Sequence, residues 1–173
     1  MKAITRSQLR HSTEAHKKLM RSGRTKPMVS ANYIVGLTDG EGCFYVNVVN
    51  SLRYIAGARI DLNFHIKMQE KDKDLLGKVK DKLGCGNVYF QKEKRKNHVQ
   101  CYRYTVNSHK DIIGRIIPFF QRYSLQSASK QKSFHLFCKI AGIVRNKKHL
   151  TKEGIKQIRK LKPQINQRTV GIA

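Results

Sequence analysis

Tyr33-Ile34-Val35-Gly36-Leu37-Thr38-Asp39-Gly40-Glu41-Gly42-Cys43-Phe44 is the stretch on which the reading of this chain turns. Apolar residues surround Gly36 and Gly40, and two acids, Asp39 and Glu41, arrive just before Gly42. Small residues four apart on a helix let a second helix backbone come close. A glycine that ends a helix beside an acid leaves the carboxylate projecting from that end, where hard cations bind. The stretch occurs once in the chain.

Upstream, Ser30 is placed to cap the helix and Pro27 separates it from what precedes. Residues 1–28 hold eight Lys/Arg and one acid, Glu14, with no sustained apolar face, so residues 1–29 read as a basic arm. Downstream of Gly42 the period changes to two. Cys43 to Asn50 reads as one strand and Tyr54 to Gln69 as a longer second one. In the second, Ile60, Leu62, Phe64, Ile66 and Met68 share one face, and Arg59, Asp61, Asn63, His65, Lys67 and Gln69 the other. An antiparallel sheet with one buried face has this alternation.

Lys71 to Leu83 reads as a helix. Gly86–Lys94 and His98–Val106 read as a hairpin around the turn Arg95-Lys96-Asn97. Asp111 to Tyr123 is a further helix in which Pro118 should impose a kink or an early end. Lys130–Val144 and Lys152–Leu161 complete a domain of residues 30–166, followed by a tail of residues 167–173.

The chain has 173 residues, enough for one core, and a formal net charge of +25. Such an excess repels itself and calls for a polyanionic partner, DNA or RNA. No apolar run approaches the roughly 20 residues of a membrane span, and the N-terminus has no apolar core of a secretory signal. Cys43, Cys85, Cys101 and Cys138 are scattered without metal-ligand spacing, as expected of reduced thiols in an intracellular protein.

The helix ending in Asp-Gly-Glu-Gly, the order of elements after it, and Ser129-Lys130-Gln131-Lys132 before a late amphipathic helix together resemble a subunit of the LAGLIDADG homing endonucleases. Gly36, Leu37, Asp39 and Gly42 are identical to the consensus. Ile34, Val35, Gly40 and Glu41 are mild replacements, and Thr38 stands in place of an apolar residue. The likeness covers roughly residues 30–165 and implies an α+β fold of order αββαββα, with a saddle-shaped antiparallel DNA-binding sheet and helices on its other face.

It also implies roles. Glu41 takes the acidic position that holds a catalytic divalent ion, Mg²⁺ or another such as Mn²⁺. The chemistry agrees, because phosphodiester hydrolysis needs a metal to lower the pKa of a water and to stabilise the leaving oxygen. Lys130 matches a basic residue near the active site, and Gln69 a polar residue that orders solvent. Asp39 is architectural, bonding across a helix pair rather than binding metal. A single-motif member acts as a homodimer, with Tyr33, Gly36, Leu37, Asp39 and Gly40 at the seam.

The reading surface comprises Tyr45, Asn47, Arg59, Asp61, Asn63, His65, Lys67, Tyr89, Gln91, Arg103 and Thr105, with Lys132 as a further DNA contact. A curved ribbon carrying Arg, Asn and Gln can reach base edges in the major groove. His65 belongs to this surface rather than to catalysis. The implied activity is cleavage of both strands of a long pseudo-palindromic duplex, leaving short 3′ overhangs. The implied setting is an intron-borne gene of an organelle (chloroplast or mitochondrion) or a microbial cytoplasm. Two other functions fit the same residues: an intron RNA maturase on this fold, and a non-catalytic nucleic-acid-binding protein.

Overall fold

The computed structural model describes residues 28–93 and 99–166. Residues 1–27 of the basic arm, the turn Arg95-Lys96-Asn97 and the tail lie outside the described residues. Helix α1 spans Ala31–Glu41, and the Ser30 hydroxyl accepts from the Tyr33 amide at 3.1 Å, satisfying one free N–H of the first turn. The chain then enters β1 (Gly42–Asn50) and β2 (Ala58–Gln69). Next come α2 (Lys73–Leu83), β3 (Asn87–Gln91) and β4 (Cys101–Val106). Three continuous helical segments, His109–Asp111, Ile112–Ile116 and Ile117–Arg122, form α3. Helices α4 (Ala128–Arg145) and α5 (Lys152–Leu161) follow. The order αββαββα of an α+β fold is therefore present, with two further helices.

The four strands form one antiparallel sheet in the order β1-β2-β4-β3. Alternation divides it cleanly. Phe44, Val46, Ile60, Leu62, Phe64, Ile66, Tyr104 and Val106 are buried on the helical side. Phe44 is the hub of that layer: its ring lies 5.1 Å from Phe64, 5.5 Å from Phe120, 5.0 Å from Phe134 and 5.4 Å from Phe137. One side chain thus joins β1 to β2, α3 and α4 through offset and edge contacts, each worth about 0.5–1.5 kcal/mol beyond area burial.

Three boundaries differ from the sequence reading. β2 begins at Ala58 rather than Tyr54, because residues 51–57 close a loop of their own. Ser51 donates to the Gly57 carbonyl at 3.0 Å, Gly57 donates to that of Tyr54 at 2.7 Å, and Gly57 sits at φ +74°. The second hairpin is shorter, Asn87–Gln91 against Cys101–Val106. Pro118 neither ends α3 nor interrupts an α-helical ladder. Ile112–Ile116 wind as a π segment, which puts Pro118 in the first positions of the α segment that follows. A missing N–H costs least there.

The passage from α1 to β1 leaves no space at Gly42. A Cβ there would lie 2.7 Å from the Thr38 carbonyl oxygen and 2.8 Å from its Cα. Backbone cannot yield as a flexible side-chain tip can, so Gly42→Ala should destabilise the fold by about 1–3 kcal/mol, measured by equilibrium denaturation in urea.

Candidate active site and nucleic-acid interface

The face of the sheet away from the helices carries the second parity class. The register sets Tyr45 opposite Asn63, Asn47 opposite Asp61, His65 opposite Thr105, Lys67 opposite Arg103, and Tyr89 opposite Arg103. Tyr45, Asn47, Arg59, Asp61, Asn63, His65, Arg103 and Thr105 line one concave groove of about 600 Å³. Asn107, just past β4, joins them and was not singled out from sequence. Its position beyond a strand end gave no alternation to read. Tyr89 and Gln91 share this face of the sheet on β3, outside the groove lining, with Tyr89 53% exposed.

Some charged side chains on this face of the sheet are held by a partner. Arg59 Nε lies 2.9 Å from Asp61 Oδ1, so the acid on this face is neutralised by a neighbour two residues away. Lys67 Nζ donates to Glu93 at 3.2 Å, so Lys67 is paired by a partner 26 residues away. Arg103 Nε and Gln91 Oε1 are buried without a partner, leaving donor and acceptor capacity on this face. His65 is pulled down to about 4 by burial first, then by the charges of Arg103 and Lys130. It is therefore neutral at neutral pH, a donor and acceptor rather than a cation.

A second groove meets the end of α1. Glu41, Lys67, Gln69, Lys71, Asp72 and Cys101 line it together with Met68. Glu41 is exposed, and no hydrogen bond or ion pair engages its carboxylate among the described residues. A helix C-terminus carries partial negative charge, so a carboxylate there favours a nearby cation. Glu41, the Gln69 amide and Asp72 offer oxygen donors, the set that Mg²⁺ takes. Lys67 and Lys71 bring positive charge to the same lining, and among the described residues no three His, Cys, Asp or Glu side chains cluster as a metal site, so a hard ion here would draw on one or two carboxylates and keep several waters. Asp72 was not singled out from sequence, because it follows the strand parity rather than belonging to it.

Lys130, on the first turn of α4, donates from Nζ to the carbonyl of Gly42, the residue after Glu41. That places its ammonium at the negative end of α1 and within electrostatic reach of Cys43 and His65. The Cys43 thiol is pushed up by burial, an effect that Lys130, Asn166 and Arg103 oppose. Asn166 donates to the Phe44 carbonyl at 2.8 Å, fastening the chain past α5 to the start of β1. Lys132 is exposed on α4 and lines neither groove.

Along α1, Tyr33, Gly36, Leu37 and Gly40 recur at helical spacing on one stripe, exposed except for half-buried Leu37. Nothing lies within 4 Å of a Cβ built on Gly36 or Gly40. Asp39 holds its own chain: Oδ2 accepts from the Gln126 amide at 2.8 Å, in the segment leading to α4. Its Oδ1 is buried without a partner. Sequence reading placed this bond across a helix pair, and the structure puts one of its two oxygens within the subunit.

His65 gives a pH test. Unfolded, it titrates near 6.5, above its folded value, so the unfolded chain binds more protons between pH 6.5 and about 4. Stability from this group is complete above pH 6.5 and is lost as pH falls towards 4. His65→Gln should flatten that acid slope by roughly 1–2 kcal/mol, screening of the half-exposed ring taking the rest. Urea unfolding of both proteins at pH 7.5 and 4.5 measures it.

The family profile described as LAGLIDADG endonuclease matches residues 34–141. A Neurospora crassa protein named probable intron-encoded endonuclease 2 is 30% identical over 141 residues, covering 80% of this chain and 29% of that protein. The chain spans 24–39% of the length of the other curated relatives it matches. Among solved structures, the homing endonuclease I-TnaI superposes with a TM-score of 0.71 at 28% identity, over 81% of this chain and 90% of that one. I-SmaMI bound to uncleaved DNA target in the presence of calcium ions superposes at 0.73 and 32% identity, over 84% of this chain and 47% of that one. With its profile match across the signature helix, the sheet and most of α4, this chain belongs to the LAGLIDADG endonuclease family.

Proposed function

We propose that this chain is a site-specific homing endonuclease that cleaves both strands of a long pseudo-palindromic duplex as a homodimer, using a divalent metal and leaving short 3′ overhangs. The observation that carries this reading is the unpaired Glu41 carboxylate at a helix end, in a groove shared with Gln69 and beside the polar concave sheet. Loss of that acid would have favoured a regulator built on the fold, and the acid is present. Relatives named as intron-encoded endonucleases support intron homing, and the DNA in the I-SmaMI complex supports a duplex substrate.

Glu41 would hold the ion, with Glu41 of the partner subunit across a two-fold axis formed by the two α1 helices. When bound, the metal supplies an activated water and charge stabilisation on the scissile phosphate. Gln69 orders solvent in the same groove. Lys130 presents its ammonium beside the Gly42 carbonyl, where it can stabilise developing negative charge on a phosphate oxygen. The sheet supplies register: Arg103, Asn47, Asn63 and Gln91 carry the donors and acceptors that suit base edges, and Lys132 adds a phosphate contact. A two-fold dimer matches a pseudo-palindromic site.

Incubating the protein with a plasmid library, with and without Mg²⁺, and sequencing the cut ends tests the reading. Recurrent Mg²⁺-dependent ends with 3′ overhangs are expected. Absence of cleavage with tight binding to intron RNA would favour the maturase function instead. On the recovered site, Glu41→Gln should reduce cleavage by at least 10³-fold, of the order of losing a metal's contribution, and leave binding intact. Full activity in that variant would remove Glu41 from the metal. Lys130→Met should slow single-turnover cleavage about 10²-fold with a much smaller change in Kd. An equal loss in both would demote it to a phosphate contact.

A further inference from the structure

On a chain with 36 Lys/Arg against 11 Asp/Glu, an acid on the face proposed to meet a polyanion calls for a reason. Among the described residues that line the concave groove, Asp61 is the one acid. Its carboxylate takes the side edge of Arg59: Nε lies 2.9 Å from Oδ1, and Nη2 donates to Oδ2 at 3.1 Å. The two residues share a face of β2 because they stand two positions apart. Their side chains are 52% and 30% exposed, so the pair lies at the groove surface rather than beneath it. Asp61 first, and then Tyr54 of the loop before β2, hold the Arg59 guanidinium above its ordinary value.

An arginine on this face can serve a phosphate or a base, and Asp61 decides between them. A phosphate contact gains from net positive charge. A carboxylate against the guanidinium cancels much of that charge and repels phosphate itself. A base contact gains from orientation instead. The guanidinium is a planar fork, and a carboxylate on its Nε–Nη2 side fixes the plane while leaving the Nη1–Nη2 end outside the pair. That end suits two parallel bonds to a planar pair of acceptors. In the major groove the O6 and N7 of guanine form such a pair. Adenine sets a donor beside its N7, thymine a methyl group beside its O4, and cytosine offers a donor.

The register sets this pair far from the candidate cleavage centre. Arg59 lies opposite Val49 and Asp61 opposite Asn47, whereas Gly42, next to Glu41, lies opposite Ile66. From Gly42 to Val49, β1 runs roughly 23 Å at about 3.3 Å per residue. At about 3.4 Å per base pair that is at most about seven base pairs. We propose that Arg59 and Asp61 form one base-reading unit, in which Asp61 is a positioning residue and Arg59 offers its end-on fork to a guanine in the outer part of each half-site. This rests on the DNA-cleaving function proposed above and gives its recognition surface a definite base.

The test is selection of bound duplexes from a random-sequence library by the full-length chain, with Ca²⁺, the ion present in the uncleaved I-SmaMI complex, in place of Mg²⁺. The wild type should enrich a guanine at one outer position of each half-site. Arg59→Lys keeps the charge and loses the fork, so the preference at that position should fall roughly 10- to 100-fold while the other positions hold. Asp61→Ala should lower the same preference yet bind unrelated duplex as tightly as the wild type or more so, because a negative charge has gone. A merely structural Asp61 would not split specificity from affinity in this way. A recovered motif whose guanine survives both substitutions would overturn the proposal and leave the duplex-binding function standing. So would a uniform loss of affinity across sequences in Arg59→Gln with the salt slope reduced by about one unit, the mark of a phosphate contact. Recovery of no motif, with tight binding to intron RNA, would overturn the DNA-cleaving function and this proposal together.

Discussion

A methyl group on Gly42 would collide with Thr38, and the carbonyl of Gly42 takes the Lys130 ammonium. The helix-to-strand passage is therefore closed on one side by α1's own last turn and on the other by α4. Everything functional is indexed to this point. Glu41, one residue earlier, has to leave the helix into the groove. Phe44, two residues later, has to enter the core, where it meets four aromatic rings. A shift of one residue would exchange these destinations, because strand side chains alternate between faces. Packing of Phe44 thereby fixes the candidate metal position.

The same parity separates stability from recognition. Even-numbered positions of β1 and β2 supply core, while odd positions supply Tyr45, Asn47, Arg59, Asp61, Asn63 and His65 to the concave face. Residues on that face can change without emptying the core, which is a physical route to altered targets on a constant fold. Its ion pairs matter in this respect. Arg59 with Asp61, and Lys67 with Glu93, hold long side chains in place before a ligand arrives. That would lower the entropy lost if a ligand binds this face.

Local physics explains what was legible in the sequence. Ser30 announced the start of α1, and alternation from Arg59 to Gln69 announced both faces of β2, so the order of elements and the concave residue set were readable. The extra extension back to Tyr54 failed because alternation alone does not see Gly57 closing a loop at positive φ. Pro118 was read as a kink or an early end, and the π segment that precedes it has no local signature. Contacts such as Lys130 to Gly42, Lys67 to Glu93 and Asp39 to Gln126 join residues 88, 26 and 87 positions apart. No periodicity encodes them. Lys130 was reachable only through family resemblance, and Asp72 and Asn107 lay outside any pattern the chain offers.

The α1 stripe remains out of keeping with the surface around it. On a chain of net charge +25, Ala31–Thr38 carry no charge, and Tyr33 is 48% exposed beside two glycines with open space over them. Exposed glycine inside a helix costs about 1 kcal/mol relative to alanine, so the two positions give up stability within the subunit. Close approach of a second helix would offset that cost, since only small residues let two backbones pack tightly. Asp39 ties the stripe to the segment that carries Lys130 through Gln126. A partner seated on α1 would thus press on both groups at the candidate centre, Glu41 at the helix end and Lys130 behind it. Dimerisation would then supply the second carboxylate and also hold the first in position.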